Sequence, residues 1–201
     1  MIDAAVVYDA FPVVVPDAEI PPDADPHIYV QISSNDGDAE ELISTGVVTL
    51  FSSDLELATD ADLQIVGMRF DSLGIGAGET VASAYIQFEV DQVSESATML
   101  SIRTEASSSP TIFEELMGNL SARVTSELAV DWAPPPWPTE DEAGPDQATP
   151  ELRDLLQERI NEPAWDSGSS IVFLITGTGL RTAEAFDGEP MAAAELVILL
   201  E

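Results

Sequence analysis

The fold is decided by the stretch VGMRFDSLGIGAGETVASAYIQFEVDQ, residues 66–92. Its glycine-rich part, LGIGAG, separates two apolar segments and predicts a turn. After the turn, Ala84 and Ile86 alternate with Tyr85 and Gln87, which is the period of two of a half-buried strand. Short alternating runs of this kind, broken by Ser, Asp and Gly, recur along most of the chain. The sequence therefore predicts about nine strands.

One segment has the periodicity of a helix, TPELRDLLQERINEP, residues 149–163. Thr149 is the predicted N-cap, and Pro163 ends the helix. The apolar stripe consists of Leu152, Leu155, Leu156 and Ile160. A shorter helical turn is predicted within residues 111–120. Strands decorated by one or two short helices predict an all-β protein, a jelly-roll β-sandwich with a lid helix.

Residues 1–27 differ in composition from the rest of the chain. They contain the β-prone runs AAVVY and FPVVVP, followed by the acidic, proline-rich segment PDAEIPPDADP. This N-terminal extension is interpreted as an interdomain linker, or as a strand that pairs with its own sheet or with a neighbouring subunit. The sandwich is assigned to residues 28–201. The extension lacks the positive start of a signal peptide.

The charge of the chain is extreme. Acidic residues number 38 against six basic ones, all arginine, for a net charge of −32. Such a surface repels nucleic acid and anionic membranes, and no apolar run is long enough to insert into a membrane. Self-repulsion is screened over about 10 Å at 0.1 M salt but roughly 3 Å at 1 M. The composition therefore favours a high-salt environment.

Few residue types suited to catalysis are present. The chain has no cysteine, no lysine, no G-x-S-x-G motif and one histidine, His27. Zinc sites built from cysteine or several histidines are excluded. Paired carboxylates could hydrolyse a glycoside, but with this many acids their presence carries no signal. We therefore expect no enzymatic activity.

Calcium is the metal that best suits an acidic chain, because it takes carboxylate and carbonyl oxygens in flexible geometry. The segment VQISSNDGDAEEL, residues 30–42, does not have the EF-hand spacing, but turns of a sandwich can bring acids of several segments together. The candidate ligands are Asp36, Asp38, Glu40, Glu41, Asp54, Glu56 and Asp187. The alternative is that these acids only hydrate a salt-adapted surface.

Aromatic residues are the candidate contacts to a sugar. Trp132 and Trp165 are expected in the core, whereas Trp137, in the proline-rich run WAPPPWP, is the ring expected to be exposed. Tyr85 and Arg181 are the other candidate contacts. Alternatively, the proline-rich loop packs over the end of the sandwich.

Residues 66–92 resemble the core of DNRLRE-like domains, in which an RF strand leads to an IP-x-GA-x-I-x-SA-x-I-x-F turn and strand. Residues 180–200, LRTAEAFDGEPMAAAELVILL, are similar to the closing pattern of that family, and the likeness covers residues 28–200. It implies a non-catalytic, exported jelly-roll module, often calcium-stabilised, of large secreted proteins of marine bacteria. The turn GIGAG departs from the pattern because it lacks the proline.

Two functions are compatible with these features. The first is an extracellular or cell-surface module that binds a polysaccharide and is stabilised by calcium. The second is a structural subunit of a fibre or surface assembly, a homo-oligomer in which residues 1–27 complete the sheet of a neighbouring subunit.

Overall fold

The computed structural model describes residues 26–201, and the predicted pairing of residues 1–25 lies outside them. The strands are β1 (His27–Gln31), β2 (Asp38–Leu42), β3 (Val48–Thr49), β4 (Asp54–Glu56), β5 (Gln64–Phe70), β6 (Val81–Gln87), β7 (Val90–Gln92), β8 (Met99–Thr104), β9 (Val130–Trp132), β10 (Ile171–Thr178), β11 (Thr182–Glu184) and β12 (Glu195–Leu200). The helices are a 3-10 turn at Pro145–Gln147 and α1 at Arg153–Ile160.

The strands form two layers of antiparallel sheet. One layer is a six-stranded sheet with the order β3–β2–β5–β10–β8–β9. The other consists of two three-stranded sheets, β1–β12–β6 and β4–β11–β7, which cover the same face of the first. Successive strands often change layer, as between β5 and β6 and between β10 and β11. The predicted all-β sandwich is therefore confirmed, with more and shorter strands than expected.

The central strand β10 is apolar on both faces. Ile171, Phe173 and Ile175 point into the main core between the layers. Val172 and Leu174 point the opposite way, into a smaller core under the loop of residues 111–120. A strand buried on both faces reads as a continuous apolar run instead of an alternating one, and IVFLIT is such a run.

Helix α1 begins later than the sequence predicts. Thr149 is not its N-cap, because the Thr149 hydroxyl accepts a hydrogen bond from the Ile86 amide, 2.9 Å away. The Leu152 amide donates to the Ala84 carbonyl at 2.7 Å. The first turn of the predicted helix is therefore used to pair with β6. Residues 111–120 form turns and no helix, and no helix of the described residues is long and apolar enough to cross a membrane.

The two edges of the sheet β1–β12–β6 differ. The edge of β6 is covered by residues 147–152 and by side chains of α1. The Ala84 amide donates a hydrogen bond to the Glu151 carboxylate, and the Val81 amide donates one to the side-chain oxygen of Gln157, both at 2.8 Å. Within residues 26–201, β1 pairs only with β12.

Candidate functional site

The outer face of the sheet β1–β12–β6 points away from the core and carries two tyrosines. Tyr29 of β1 and Tyr85 of β6 both lie opposite Val197 of β12. Directly paired residues project to the same face, so the three side chains form one row across the sheet. Val197 is only 3% exposed although it points away from the main core.

The next row on this face is polar. Gln31 of β1 and Gln87 of β6 lie on either side of Glu195 of β12. The Gln31 side-chain amide donates to the carbonyls of Met191 and Ala193, each at 3.0 Å, which fixes its orientation. An aromatic row beside a row of amides and a carboxylate gives this face both an apolar surface and hydrogen-bonding groups.

A cavity of about 410 Å³ lies between β6 and residues 143–151. Tyr85 and Gln87 form part of its lining, together with Glu151. Its volume is in the range of about 300–1,000 Å³ found for small-molecule sites. The sequence alone did not predict that residues 143–151 line this cavity, because this segment contacts β6 only through the non-local pairing described above.

A second cavity, of about 120 Å³, lies beside the first. The two share Gln87 and Ala143 in their linings, and the second adds Gln31, Glu89 and Glu195. We call these two adjacent cavities the groove. Tyr85 is the one predicted ligand residue in it, whereas the polar contacts were missed. The alternation around Tyr85 could have identified Gln87 as its neighbour on the same face.

Two acids of the groove, Glu89 and Glu195, are partly removed from water. Burial raises the pKa of Glu195. Burial also raises the pKa of Glu89, and the nearby charges of Asp141 and Glu189 raise it further. A carboxylate that has lost hydrating water gains from the hydroxyl donors of a ligand. The groove therefore suits a neutral, hydroxyl-rich ligand and disfavours an anionic one.

Trp137 is not exposed, so the prediction for this residue is wrong. The three tryptophans Trp132, Trp137 and Trp165 are 5%, 0% and 3% exposed. The Trp137 ring lies 6.3 Å from those of Phe88 and Trp132, and its indole N–H donates to the Asp146 carbonyl at 3.0 Å. The proline-rich loop therefore packs over the end of the sandwich, and this ring is not available to stack on a sugar.

Arg181 is also internal, at 1% exposure, so a direct ligand contact is wrong for this residue as well. Its guanidinium donates to the carbonyls of Pro134, Pro135, Ser96 and Leu180 and to the Thr98 hydroxyl. These acceptors belong to three separate loop segments. Arg181 therefore holds loops together at the end of the sandwich, and its charge is solvated by carbonyl dipoles.

The predicted calcium ligands fall into separate pairs. Asp38 lies between the layers, where its carboxylate accepts from the Phe186 amide at 2.9 Å. Burial, and then the charge of Asp187, raises the pKa of Asp38 to about 6. Asp187 accepts from the Asn35 side chain at 2.5 Å, and its other oxygen is buried without a hydrogen-bond partner among the described residues.

Glu40 and Glu56 form the second pair. Glu40 accepts from the Glu56 amide at 2.8 Å and from the Gln64 side chain at 2.7 Å. Burial raises the pKa of Glu40 far above its usual range, and the carboxylate of Glu56 raises it further. The pair therefore tends to hold a proton at neutral pH. Neither residue lines the groove.

Of the other three predicted ligands, only Asp54 lies near one of these pairs, where its charge helps to raise the pKa of Glu56 after the larger effect of burial. Glu41 points to the opposite face of β2 and accepts from the amides of Leu120 and Ser121, at 2.7 and 3.0 Å. Asp36 accepts from Ser34 at 2.5 Å, and Asp54 accepts from the Gln92 side chain at 3.2 Å.

Within residues 26–201, no group of three or more acids is arranged to hold a metal ion. The inward oxygens of β2 accept protein N–H groups, and calcium requires six to eight oxygen ligands. The predicted set does not fit that coordination. Calcium stays a prediction from the sequence that this geometry does not support.

The chain matches no protein-family model and no curated protein. The similarity to DNRLRE-like domains therefore stays a resemblance.

Proposed function

We propose that this protein is a non-catalytic glycan-binding module, extracellular or at the cell surface, that works in high salt. The observation that carries the proposal is the place of Tyr85 in the groove, beside the amide of Gln87 and near the carboxylates of Glu89 and Glu195. An aromatic ring supports the apolar face of a sugar at low entropic cost. Amides on the same surface donate to and accept from its hydroxyl groups, and carboxylates accept from them.

The negative charge of the chain favours a neutral glycan as the ligand. The groove is lined by acids and contains no arginine. In a chain with a net charge of −32, a sulfated or carboxylated polysaccharide would meet repulsion there. We therefore expect the ligand to be an uncharged polysaccharide.

The test is retention of the full chain on insoluble cellulose, chitin and xylan in about 2 M NaCl, where surface repulsion is screened. Tyr85→Ala is compared with the wild-type protein and with Phe51→Ala. The second variant removes an exposed ring of a loop that does not line the groove. We expect Tyr85→Ala to weaken binding roughly tenfold, because a stacked ring contributes about 1 kcal/mol or more.

Phe51→Ala should bind like the wild-type protein. The proposal is wrong if none of the three polysaccharides retains the protein, or if the two alanine variants bind equally well.

A second candidate function follows from the composition of residues 1–27. We propose that this segment of one subunit adds a strand to a sheet of a neighbour in a surface assembly. The support is the pair of apolar, β-prone runs AAVVY and FPVVVP in this segment. Main-chain hydrogen bonds to a sheet edge give strand addition its affinity.

Light scattering of the full chain after size-exclusion chromatography tests this candidate. Replacing Val13, Val14 and Val15 with Asp should produce monomers, because charged side chains oppose strand pairing within an apolar interface. The matched control places three Asp at Ala18, Ile20 and Ala24, which adds the same charge outside the FPVVVP run. A monomeric wild-type protein, or two variants that assemble alike, would rule out strand donation.

A further inference from the structure

Arg103 is the exception among the arginines of this chain. Arg69, Arg123, Arg153 and Arg159 each form an ion pair with a carboxylate. Arg181 is buried and bonded to carbonyls. Arg103 is partly exposed, and among the described residues it has no carboxylate partner, although the chain has 38 acids.

The guanidinium of Arg103 is held from one side. One of its terminal nitrogens, Nη1, donates to the carbonyls of Ser126 and Glu127, at 2.8 and 3.1 Å. Among the described residues, no acceptor receives a hydrogen bond from its Nε–H or Nη2–H groups. A guanidinium that is already positioned loses less conformational freedom when it binds an anion.

Arg103 lines a cavity of about 200 Å³ on the outer face of the six-stranded sheet. The apolar part of the lining is Ile65, Leu120 and Leu174. Leu174 is the direct cross-strand partner of Arg103. The cavity therefore places a cationic group beside an apolar surface.

The lining of this cavity contains no acid, and Arg123 also contributes to it. Arg123 is fixed by Glu105 and by the carbonyls of Thr111 and Ile112, and its guanidinium lies 4.5 Å from the centre of the Phe113 ring. Its charge is compensated by Glu105, so that Arg103 supplies both the charge without a carboxylate partner and the free hydrogen bonds. The groove, by contrast, is lined by Glu89, Glu151 and Glu195.

We propose that this cavity binds a small carboxylate with a compact apolar body, through the free edge of Arg103. The planar fork of an arginine matches the two oxygens of a carboxylate, and the apolar body would cover Ile65 and Leu174. The cavity is smaller than the sites of about 300–1,000 Å³ that enclose drug-sized ligands, so the ligand is small. This site is separate from the groove and does not depend on the proposed glycan function.

The test is an NMR titration of the isotope-labelled full chain with isovalerate, and with isovaleramide as the uncharged molecule of the same shape. We expect isovalerate to shift the Arg103 Nε–H signal and the Leu174 and Thr176 amides, saturating in the millimolar range, about 4 kcal/mol of binding. Isovaleramide should cause no saturable shift. Equal responses to the two molecules would overturn the proposal without any variant.

Variants then assign the contact. Arg103→Gln should weaken isovalerate binding roughly tenfold or more, because it removes the charge-assisted hydrogen bonds to the carboxylate. Arg103→Lys keeps the charge without the fork and should bind with intermediate affinity. Arg153→Gln removes an exposed arginine away from the cavity and should bind like the wild-type protein. Unchanged affinity in a folded Arg103→Gln variant would contradict the site.

Discussion

At the scale of single residues, the acids of β2 differ by the face on which they lie. Asp38 and Glu40 point between the layers, where burial and a neighbouring acid raise their pKa values. Glu41 points the other way and accepts from two backbone amides. Neighbouring acids in one strand therefore have different surroundings and different hydrogen-bond partners.

Glu40→Gln should stabilise the protein in alkaline solution. Because burial raises the pKa of Glu40 from its ordinary value of 4.5 to about 9, the folded state holds a proton between these pH values that the unfolded state has released. This contribution to stability is full below the unfolded pKa and is lost as the pH rises through the window between these values. The amide of Gln imitates the protonated acid and removes that loss.

Thermal unfolding at several pH values measures the effect. We expect Glu40→Gln to raise the Tm at about pH 8 and to flatten its decline between mildly acidic and alkaline pH. Asp38 and Glu184, with pKa values raised to about 6 and about 7, leave part of the decline in place. The control Glu41→Gln should lower the Tm, since it weakens two amide contacts. A Tm of Glu40→Gln that falls with pH as steeply as the wild type would refute this account.

At the scale of elements, residues 147–152 act as an edge cover for β6. The Thr149 hydroxyl accepts from Ile86, the Glu151 carboxylate from Ala84, and the Gln157 amide oxygen from Val81. Side-chain acceptors thus satisfy strand amides that would otherwise be open to another strand. The same contacts form one wall of the groove and delay the start of α1.

Thr149→Val tests this role with almost no change in shape. The valine leaves the Ile86 amide without an acceptor, and an unsatisfied buried donor costs about 1–3 kcal/mol. For a chain of this size, the Tm should fall by about 2–4 °C per kcal/mol. The control is Thr139→Val, at an exposed position of a loop. Equal Tm values for the two valine variants would show that the Thr149 bond contributes nothing.

Local periodicity was sufficient to predict the strand of residues 81–87 and the all-β sandwich. It was not sufficient for Trp137, because the exposure of a loop residue depends on what the loop packs against, here Phe88 and Trp132. The sequence predicted that the acids lie at the surface or bind calcium, because charged side chains are usually solvated. No feature of the local sequence indicates that Asp38 and Glu40 lie between two layers. The groove was missed except for Tyr85, because its second wall comes from a distant segment.

At the scale of the whole molecule, the net charge of −32 sets the conditions for folding. Acids cluster even around single groups: burial raises the pKa of Glu184 to about 7, and the charges of Asp91, Glu89, Asp141 and Glu189 add to the effect. Salt screens such repulsion at distances beyond the Debye length, roughly 3 Å at 1 M. We therefore expect the folded state to be more stable in concentrated salt than in dilute buffer.

The Tm should rise with NaCl concentration and approach a plateau near about 2 M, where little unscreened repulsion remains. At the plateau, EDTA should leave the Tm unchanged, because the described acids form no coordination shell. A calcium site would instead stabilise the folded state by about 2.7 kcal/mol when the calcium concentration is a hundredfold above the dissociation constant. A drop in Tm with EDTA that CaCl₂ reverses would restore the calcium prediction.

The measurement that tests the central claim most directly is hydrogen–deuterium exchange of the full chain with and without a soluble oligosaccharide of the retained polysaccharide. Binding in the groove predicts slower exchange in residues 143–151 and in β6, whose residues line it. Exchange in the loop of residues 111–120, on the opposite layer, should be unchanged. Protection confined to that loop, or no protection at all, would contradict a ligand site on the outer face of β1–β12–β6.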